Sequence, residues 1–286
     1  MTIPKEEVTK AFNNKHTAFM PYFTLGYPDY QTSLDIIQSC AEAGADLMEL
    51  GMPFSDPLAD GPTIQNSTQV ALKNGVDIEQ CLQAVGDLRN RGITIPLMLM
   101  GYYNPILNYG EQRFVEKAEA SGANGFIIPD LPPEEGASFE CHCINNKLAL
   151  SYLLAPTSTE ERIKLVAEKA SGFVYLVSLT GVTGARIDLP NYLQDFVGLV
   201  RRHVTDPLAI GFGISTPDQA QAVGKLVEGV IVGSKLINIA GDSANPAEAC
   251  GQFVADMVSA LKQDSCLLYT SPSPRDRTRS RMPSSA

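Results

Sequence analysis

Short apolar runs alternate with amphipathic stretches along most of this sequence. Each run is four to six residues long, and the stretches between runs have the apolar periodicity of helices. Strands that alternate with helices pair in parallel, because each helix returns the chain to the same end of the sheet. Eight such units in about 265 residues match a closed (β/α)8 TIM barrel, which we predict as one α/β domain over residues 1–265. The predicted strands are Phe19–Thr24, Leu47–Gly51, Pro96–Met100, Gly125–Pro129, Ala149–Leu154, Phe173–Ser178, Pro207–Gly211 and Gly229–Val232.

The main alternative is a doubly wound open sheet. Such sheets more often hold about five or six strands, and no GxGxxG motif follows the first predicted strand. An apolar content of 44% is sufficient for a single large core. The number of strands and the missing motif favour the barrel over the open sheet.

Charge, apolar run length and cysteine spacing limit the classes of partner. The net charge of −10 argues against nucleic acid. No run approaches the roughly 20 apolar residues of a membrane span, and residues 4–15 predict a charged helix rather than a signal peptide. We therefore expect a cytoplasmic protein with reduced cysteines. No metal site is predicted, because even Cys141 and Cys143 point about 200° apart on a helix.

The C-terminal segment differs in composition from the rest of the chain. Residues 266–286 lack periodicity and are rich in arginine, serine and proline. They resemble the translation of a sequencing adapter followed by a primer site, so we interpret them as a non-native tail outside the barrel. A basic arm that binds nucleic acid is the alternative interpretation of this segment.

One predicted strand carries a carboxylate and leads into an acidic loop. Glu49 lies near the end of the apolar strand Leu47–Gly51, and Asp56 and Asp60 follow in the loop. Side chains alternate faces along a strand, so Glu49 shares a face with Leu47 rather than with its direct neighbours. An acid in such a strand destabilises the fold unless it is protonated or hydrogen-bonded. We therefore predict that Glu49 has a chemical role.

Glycine-rich turns after the last three predicted strands suggest an anion site. They lie at residues 180–186, at Gly211–Ser215 and at Gly233–Ser234, where a helix is predicted to begin. Glycines allow backbone N–H groups to approach phosphate oxygens, and barrels of this type often bind phosphate after their last two strands. One such turn would be unremarkable, but three in succession favour a phosphate site.

The alternation of side chains along each strand predicts which other residues line the mouth of the barrel, at the C-terminal ends of the strands. Side chains at the C-terminal rim should form an apolar, aromatic slot that ends at Glu49, and the candidates include Tyr22, Met100, Ile127 and Tyr175. A flat apolar ligand with a phosphate on a short polar arm would fit this slot.

At this point the sequence resembles the tryptophan synthase alpha-chain family over residues 1–264. The similarity lies in the segments Glu49–Gln65, Gly101–Pro105, Gly181–Arg186 and Gly211–Ser215. It implies that indole-3-glycerol phosphate is cleaved to indole and glyceraldehyde 3-phosphate in a retro-aldol reaction, with Glu49 and Asp60 as catalytic residues. The implied substrate contacts are Tyr22, Ile64, Met100, Tyr102, Ile127, Tyr175, Thr183, Gly184, Phe212, Gly213, Gly233 and Ser234.

The resemblance also implies a partner. A tryptophan synthase beta chain carrying pyridoxal phosphate would complete an alpha2beta2 heterotetramer, and this chain itself would hold no cofactor. The predicted interface includes Pro53, Asp56, Asn104 and Asn108, on the loop after strand 2 and on the rim of strand 3. Met52, Phe54 and Leu58 are predicted to be exposed apolar residues around this loop.

The reaction suits these residue types. A semi-buried Glu49 with a raised pKa can give and take protons, and an ionised Asp60 can stabilise positive charge on the indole nitrogen. Two alternatives remain open from sequence: a barrel that only binds or regulates, and a different phosphosugar lyase or isomerase.

Overall fold

The fold is a parallel barrel, seen in a computed structural model that describes residues 3–177, 191–211 and 213–267. Within these residues nine parallel strands pair in the order β5-β4-β3-β2-β1-β9-β8-β7-β6. They are β1 Ala18–Thr24, β2 Met48–Gly51, β3 Leu97–Met100, β4 Gly125–Ile127, β5 Ala149–Ser151, β6 Leu153–Leu154, β7 Val174–Val177, β8 Leu208–Gly211 and β9 Gly229–Val232.

The predicted fifth strand appears as two pieces, β5 and β6, separated by Tyr152. The N–H of Tyr175 donates to the carbonyl of Tyr152 at 3.0 Å, so pairing continues across the gap. The two ends of the sheet are thus joined through one residue. The predicted (β/α)8 barrel with eight strand positions is confirmed.

The described part of the chain forms twelve helices around the barrel. Several begin where a polar side chain accepts a hydrogen bond from the first turn, as Asp29, Asp77, Thr159 and Thr216 do. The helices are α1 Pro4–Ala11, α2 Tyr30–Glu42, α3 Pro62–Lys73, α4 Ile78–Asn90, α5 Tyr103–Tyr109, α6 Glu111–Ser121, α7 Ala137–Asn145, α8 Glu160–Lys169, α9 Asn191–Arg201, α10 Pro217–Gly224, α11 Ser234–Asp242 and α12 Pro246–Leu267.

Side-chain alternation produces two apolar layers. Met48 and Leu50 belong to the layer between strands and helices, whereas Leu47 belongs to the cluster inside the barrel. The base of the barrel is covered by α1 and by Phe12, which follows it and whose ring centroid lies 5.4 Å from that of Phe173. The open end is therefore at the C-terminal ends of the strands, where the site was predicted.

Three local features differ from the sequence interpretation. The predicted rim after strand 3 is the short helix α5, and α12 extends two residues past the predicted domain boundary at 265. Met52, expected to be exposed, is buried in the outer layer because it packs directly beneath Gly101.

The described residues contain neither a membrane-spanning helix nor a cluster of metal-binding side chains. No helix there combines the length and apolar character needed to cross a membrane. In the same part of the chain, no group of three or more His, Cys, Asp or Glu side chains is arranged to hold a metal ion. Cys141 is exposed and Cys143 is buried, so the two thiols of α7 face different environments.

Candidate active site

A cavity of about 290 Å³ opens at the mouth of the barrel. Its wall combines a buried acid, two tyrosines and several apolar side chains with a rim of small and polar residues. The lining residues are Tyr22, Glu49, Ile64, Met100, Tyr175, Gly211, Gly213, Ile214, Ser215, Ile231, Gly233, Ser234, Lys235 and Asn238.

Glu49 provides the acid of this cavity. It lies on β2, with Tyr22 of β1 and Met98 of β3 as its register partners. Its side chain is fully buried rather than semi-buried as predicted, and neither carboxyl oxygen has a hydrogen-bond partner among the described residues. Burial raises the pKa of Glu49 well above its usual range. Burial therefore favours the protonated form of Glu49, and no group among the described residues bonds its carboxyl oxygens.

The loop that carries Asp60 packs against Tyr102. The hydroxyl of Tyr102 accepts a hydrogen bond from the N–H of Ala59, the residue before Asp60, at 2.9 Å. The Phe54 ring packs on Tyr102 with centroids 5.4 Å apart. Burial raises the pKa of Asp60 to about 6, against the lowering effect of the Tyr102 hydroxyl. At neutral pH Asp60 is thus mainly ionised, whereas burial shifts Glu49 toward its protonated form.

Two tyrosines of the cavity lie over glycines at strand ends. A Cβ atom at Gly51 would collide with the Tyr22 hydroxyl, and one at Gly211 would collide with that of Tyr175. Burial raises the pKa of both phenols, so both remain protonated. Glycine at these strand ends leaves the space that the two rings occupy.

The opposite end of the cavity has the features of an anion site. Gly233 precedes the first residue of α11, Ser234, and Gly213 has φ 67°, a conformation that favours glycine. The first N–H groups of a helix point outward and carry partial positive charge. Lys235, also in the lining, adds a cation. Together these groups can bind a phosphate without a metal ion.

Most described candidates from the sequence lie at one place. Tyr22, Glu49, Ile64, Met100, Tyr175, Gly213, Gly233 and Ser234 line the cavity. Asp60 and Tyr102 are not in the described lining, but the Asp60 charge contributes to the raised pKa of Tyr22 and Tyr175, which are. Ile127 belongs to the cluster inside the barrel. Thr183, Gly184 and Phe212 lie outside the described residues.

Sequence reasoning did not name six of the lining residues individually. Three of them, Gly211, Ile214 and Ser215, lie in the turn that was predicted as part of the anion site. Strand parity could have identified Ile231, which follows Gly229 on the same face of β9, and Lys235 follows directly after the predicted anion-binding Ser234. No sequence signal identified Asn238.

The predicted partner surface lies on one side of the mouth. Asp56, Asn104 and Asn108 are exposed and Pro53 is half-buried. Leu58 is 92% exposed and Leu107 57%, so two apolar side chains extend into solvent beside these polar groups. Phe54 is half-buried against Tyr102 rather than exposed.

The chain is similar to known proteins over most of its length. A family model described as the tryptophan synthase alpha chain matches residues 8–265. The alpha chain of Dehalococcoides mccartyi is 51% identical over 232 residues, which are 81% of this chain and 90% of that protein. The alpha chain of Roseiflexus castenholzii is 51% identical over 248 residues, covering 86% and 94%.

A longer relative and a solved structure extend the comparison. The tryptophan synthase of Saccharomyces cerevisiae is 46% identical over 243 residues, and the match spans 83% of this chain but only 34% of the yeast protein. A crystal structure of the tryptophan synthase subunit alpha from Legionella pneumophila superposes with a TM-score of 0.84 at 33% identity, covering 92% of this chain and 99% of that one.

Proposed function

This chain belongs to the tryptophan synthase alpha-chain family, and we propose that it cleaves indole-3-glycerol phosphate to indole and glyceraldehyde 3-phosphate. The observation that carries this proposal is the Glu49 carboxyl group, which is fully buried and bonds no described residue, in a cavity whose far end is suited to phosphate. A buried acid without a partner destabilises the fold, and a role in proton transfer gives a reason for it.

The reaction requires two proton transfers. A proton is added to C3 of the indole, and another is removed from the hydroxyl on the adjacent carbon of the arm. The bond between these carbons then breaks, and its electron pair returns to the indole ring while the arm becomes an aldehyde. Because burial raises the pKa of Glu49 and no described group bonds its carboxyl, we assign to it the donation of the first proton and the acceptance of the second.

Asp60 would stabilise the charge that develops between these two steps. Protonation at C3 places positive charge on the indole nitrogen. A carboxylate with a pKa of about 6 remains largely ionised at neutral pH and can accept the nitrogen's hydrogen bond. The Tyr102 hydroxyl accepts from the N–H of Ala59, the residue before Asp60, which holds this part of the loop close to the ring before substrate binds.

The phosphate would bind at the N-terminus of α11. Ser234 can donate from its hydroxyl, and Gly213 and Gly233 admit backbone N–H groups close to the oxygens. Lys235 contributes charge. This binding would keep the arm between the anion site and Glu49, which orients the bond to be broken.

A beta chain is the partner implied by family membership, and pyridoxal phosphate would reside in that chain. We propose that it docks on the side of the mouth formed by Pro53, Asp56, Asn104 and Asn108, in an alpha2beta2 assembly. The exposed Leu58 and Leu107 provide apolar area for this contact. The assembly and a cytoplasmic location remain predictions from sequence.

The assignment of residues 266–286 as a non-native tail is also a proposal. The end of the family match at residue 265 supports it. Sequencing the source locus through this junction tests it, and a native reading frame that continues as residues 266–286 would contradict it.

Release of free indole from indole-3-glycerol phosphate tests the function directly. The assay is run on the complete chain with and without a tryptophan synthase beta chain, and Glu49→Gln serves as the control for enzyme-dependent turnover. We expect indole from the chain alone and a higher kcat with the beta chain. A chain that binds the substrate but releases no indole in either case would be a binding or regulatory barrel.

A further inference from the structure

A row of three buried hydroxyls connects the cavity to helix α3. The Tyr22 oxygen lies 3.2 Å from Thr24 Oγ1, which in turn lies 2.7 Å from Ser67 Oγ. Ser67 donates to the carbonyl oxygen of Ile64 at 2.8 Å. Thr24 and Ser67 are fully buried and Tyr22 is 6% exposed, so bulk water does not compete for these bonds.

The direction of each bond follows from the number of protons. A hydroxyl carries one proton, and that of Ser67 is used toward Ile64. The bond between Thr24 and Ser67 therefore has Thr24 as its donor, which leaves Tyr22 as the donor to Thr24. The row ends at the backbone carbonyl of Ile64, which accepts a hydrogen bond but does not become protonated. It therefore orients hydroxyls rather than conducting protons.

This orientation gives the Tyr22 oxygen a defined role in the cavity. Its only proton points toward Thr24, away from the lining, so its free lone pairs are available to a ligand. Burial raises the pKa of Tyr22, so the phenol stays neutral and keeps that proton. A group that binds to this oxygen must therefore be a donor.

The placement of the ring indicates which part of a ligand the oxygen meets. A Cβ built at Gly233, beside the anion site, would lie 3.1 Å from Tyr22 Cδ1, and the Tyr22 oxygen lies over Gly51. Gly51 is two residues beyond Glu49 on β2. The ring thus extends from the phosphate end toward the acid. Its oxygen reaches the stretch between them, which a hydroxyl-bearing arm would occupy.

We propose that Tyr22 determines specificity for a hydroxylated arm, by accepting a hydrogen bond from a hydroxyl between the indole and the phosphate. Thr24 and Ser67 act as positioning residues, because they hold the phenol proton away from the ligand. This inference rests on the proposed function and adds a determinant to it. A neutral buried acceptor of this kind discriminates against ligands that lack the donor.

Two ligands separate this role from simple packing. Indole-3-propanol phosphate keeps the ring and the phosphate but lacks both arm hydroxyls. Dissociation constants for it and for indole-3-glycerol phosphate are measured by calorimetry in a Glu49→Gln background, which prevents turnover. We expect Tyr22→Phe to weaken the hydroxylated ligand about tenfold and to leave the deoxy ligand within a factor of about two. Equal weakening of both ligands, or of neither, would overturn the inference.

A second variant covers the possibility that Tyr22→Phe is poorly folded. Thr24→Val keeps the shape but frees the phenol proton, and it should weaken only the hydroxylated ligand, by about threefold. The double variant should be no weaker than Tyr22→Phe alone, because both changes act on one acceptor. Additive losses would contradict the proposed row.

Tyr152→Phe is the matched control. Tyr152 is also a buried tyrosine with a bonded hydroxyl, but it donates to Glu140 in the layer outside the barrel. Both affinities should remain at the reference values in this variant. Failure of the chain with Glu49 intact to release indole would refute the proposed function itself. If indole is released but Tyr22→Phe weakens both ligands alike, only the present inference fails.

Discussion

Buried polar side chains at the base and at the mouth of this barrel differ in their hydrogen bonding: Asn124 at the base is fully bonded, and Glu49 at the mouth bonds no described residue. At the base, Asn124 is 2% exposed, and its side chain accepts from the N–H of Leu97 and from Arg89 and donates to Pro4 and Glu7. At the mouth, both oxygens of Glu49 lack a partner among the described residues, and so does the Ser151 hydroxyl.

The bonded side chains at the base contribute stability, whereas those at the mouth that bond no described residue are available for chemistry. Arg89 at the base donates to the carbonyls of Gly122, Ile93 and Ile95 as well as to Asn124, so it connects α4 to the strand ends. Satisfied groups of this kind stabilise the fold. Unsatisfied groups at the mouth destabilise it and are available to a ligand. Variants at the two ends should therefore affect different measurements.

The largest effect is expected at the mouth. Glu49→Gln should reduce kcat by about 10²–10⁴-fold, because the amide can neither donate nor accept the transferred protons. The free energy of unfolding at pH 7 should not fall, since no hydrogen bond is lost. Indole release and urea unfolding are the two measurements. The exposed Glu119→Gln serves as the matched control and should change neither. Turnover within a few-fold of the unmodified chain would contradict the assignment of Glu49.

The base should show the reverse pattern. Arg89→Met keeps much of the apolar stem but leaves the three carbonyls and the Asn124 side chain without their donor. We expect the free energy of unfolding to fall by about 3 kcal/mol, with kcat of the folded protein within a factor of about two. Arg91→Met is the control, because Arg91 bonds Asp35 and Gln38 at the surface, and losing these bonds should cost less than about 1 kcal/mol. A similar loss from both variants would remove the distinction between the two ends.

Sequence reasoning was most successful where a repeating pattern carries the information. The strand positions follow from apolar runs, and alternation correctly separated Leu47, inside the barrel, from Met48 in the outer layer. It overestimated the exposure of Glu49, because alternation gives the face of a side chain but not what covers it. The burial of Met52 depends on the close approach of Gly101, a contact between distant segments that no local pattern reveals. The hydroxyl row from Tyr22 to Ser67 spans 45 residues and is equally hidden.

An intermediate effect is expected at the anion end of the mouth. Ser234→Asp would place a carboxylate against the phosphate at the start of α11, and like charges repel. KM for indole-3-glycerol phosphate should rise by about tenfold or more, with a smaller change in kcat. Ser243→Asp, beyond the other end of α11, is the control for added charge. If substrate binds normally to Ser234→Asp, the phosphate lies elsewhere.

The smallest effect should be a shift of the pH profile caused by Tyr102. Activity requires ionised Asp60, so kcat/KM should fall on the acid side as pH drops through about 6, the pKa of this carboxyl. The Tyr102 hydroxyl lowers that pKa by hydrogen bonding to the ionised form, whereas burial raises it. Tyr102→Phe removes the lowering contribution, so the acid limb should move to higher pH by about half a unit. Well above the limb, at pH 8.5, Asp60 is ionised in both forms and the difference should shrink.

Tyr109→Phe is the control, because Tyr109 bonds the exposed Glu79 away from the mouth and its removal should leave the limb in place. A limb that stays fixed or moves to lower pH in Tyr102→Phe would mean that Asp60 does not control the acid side of the profile.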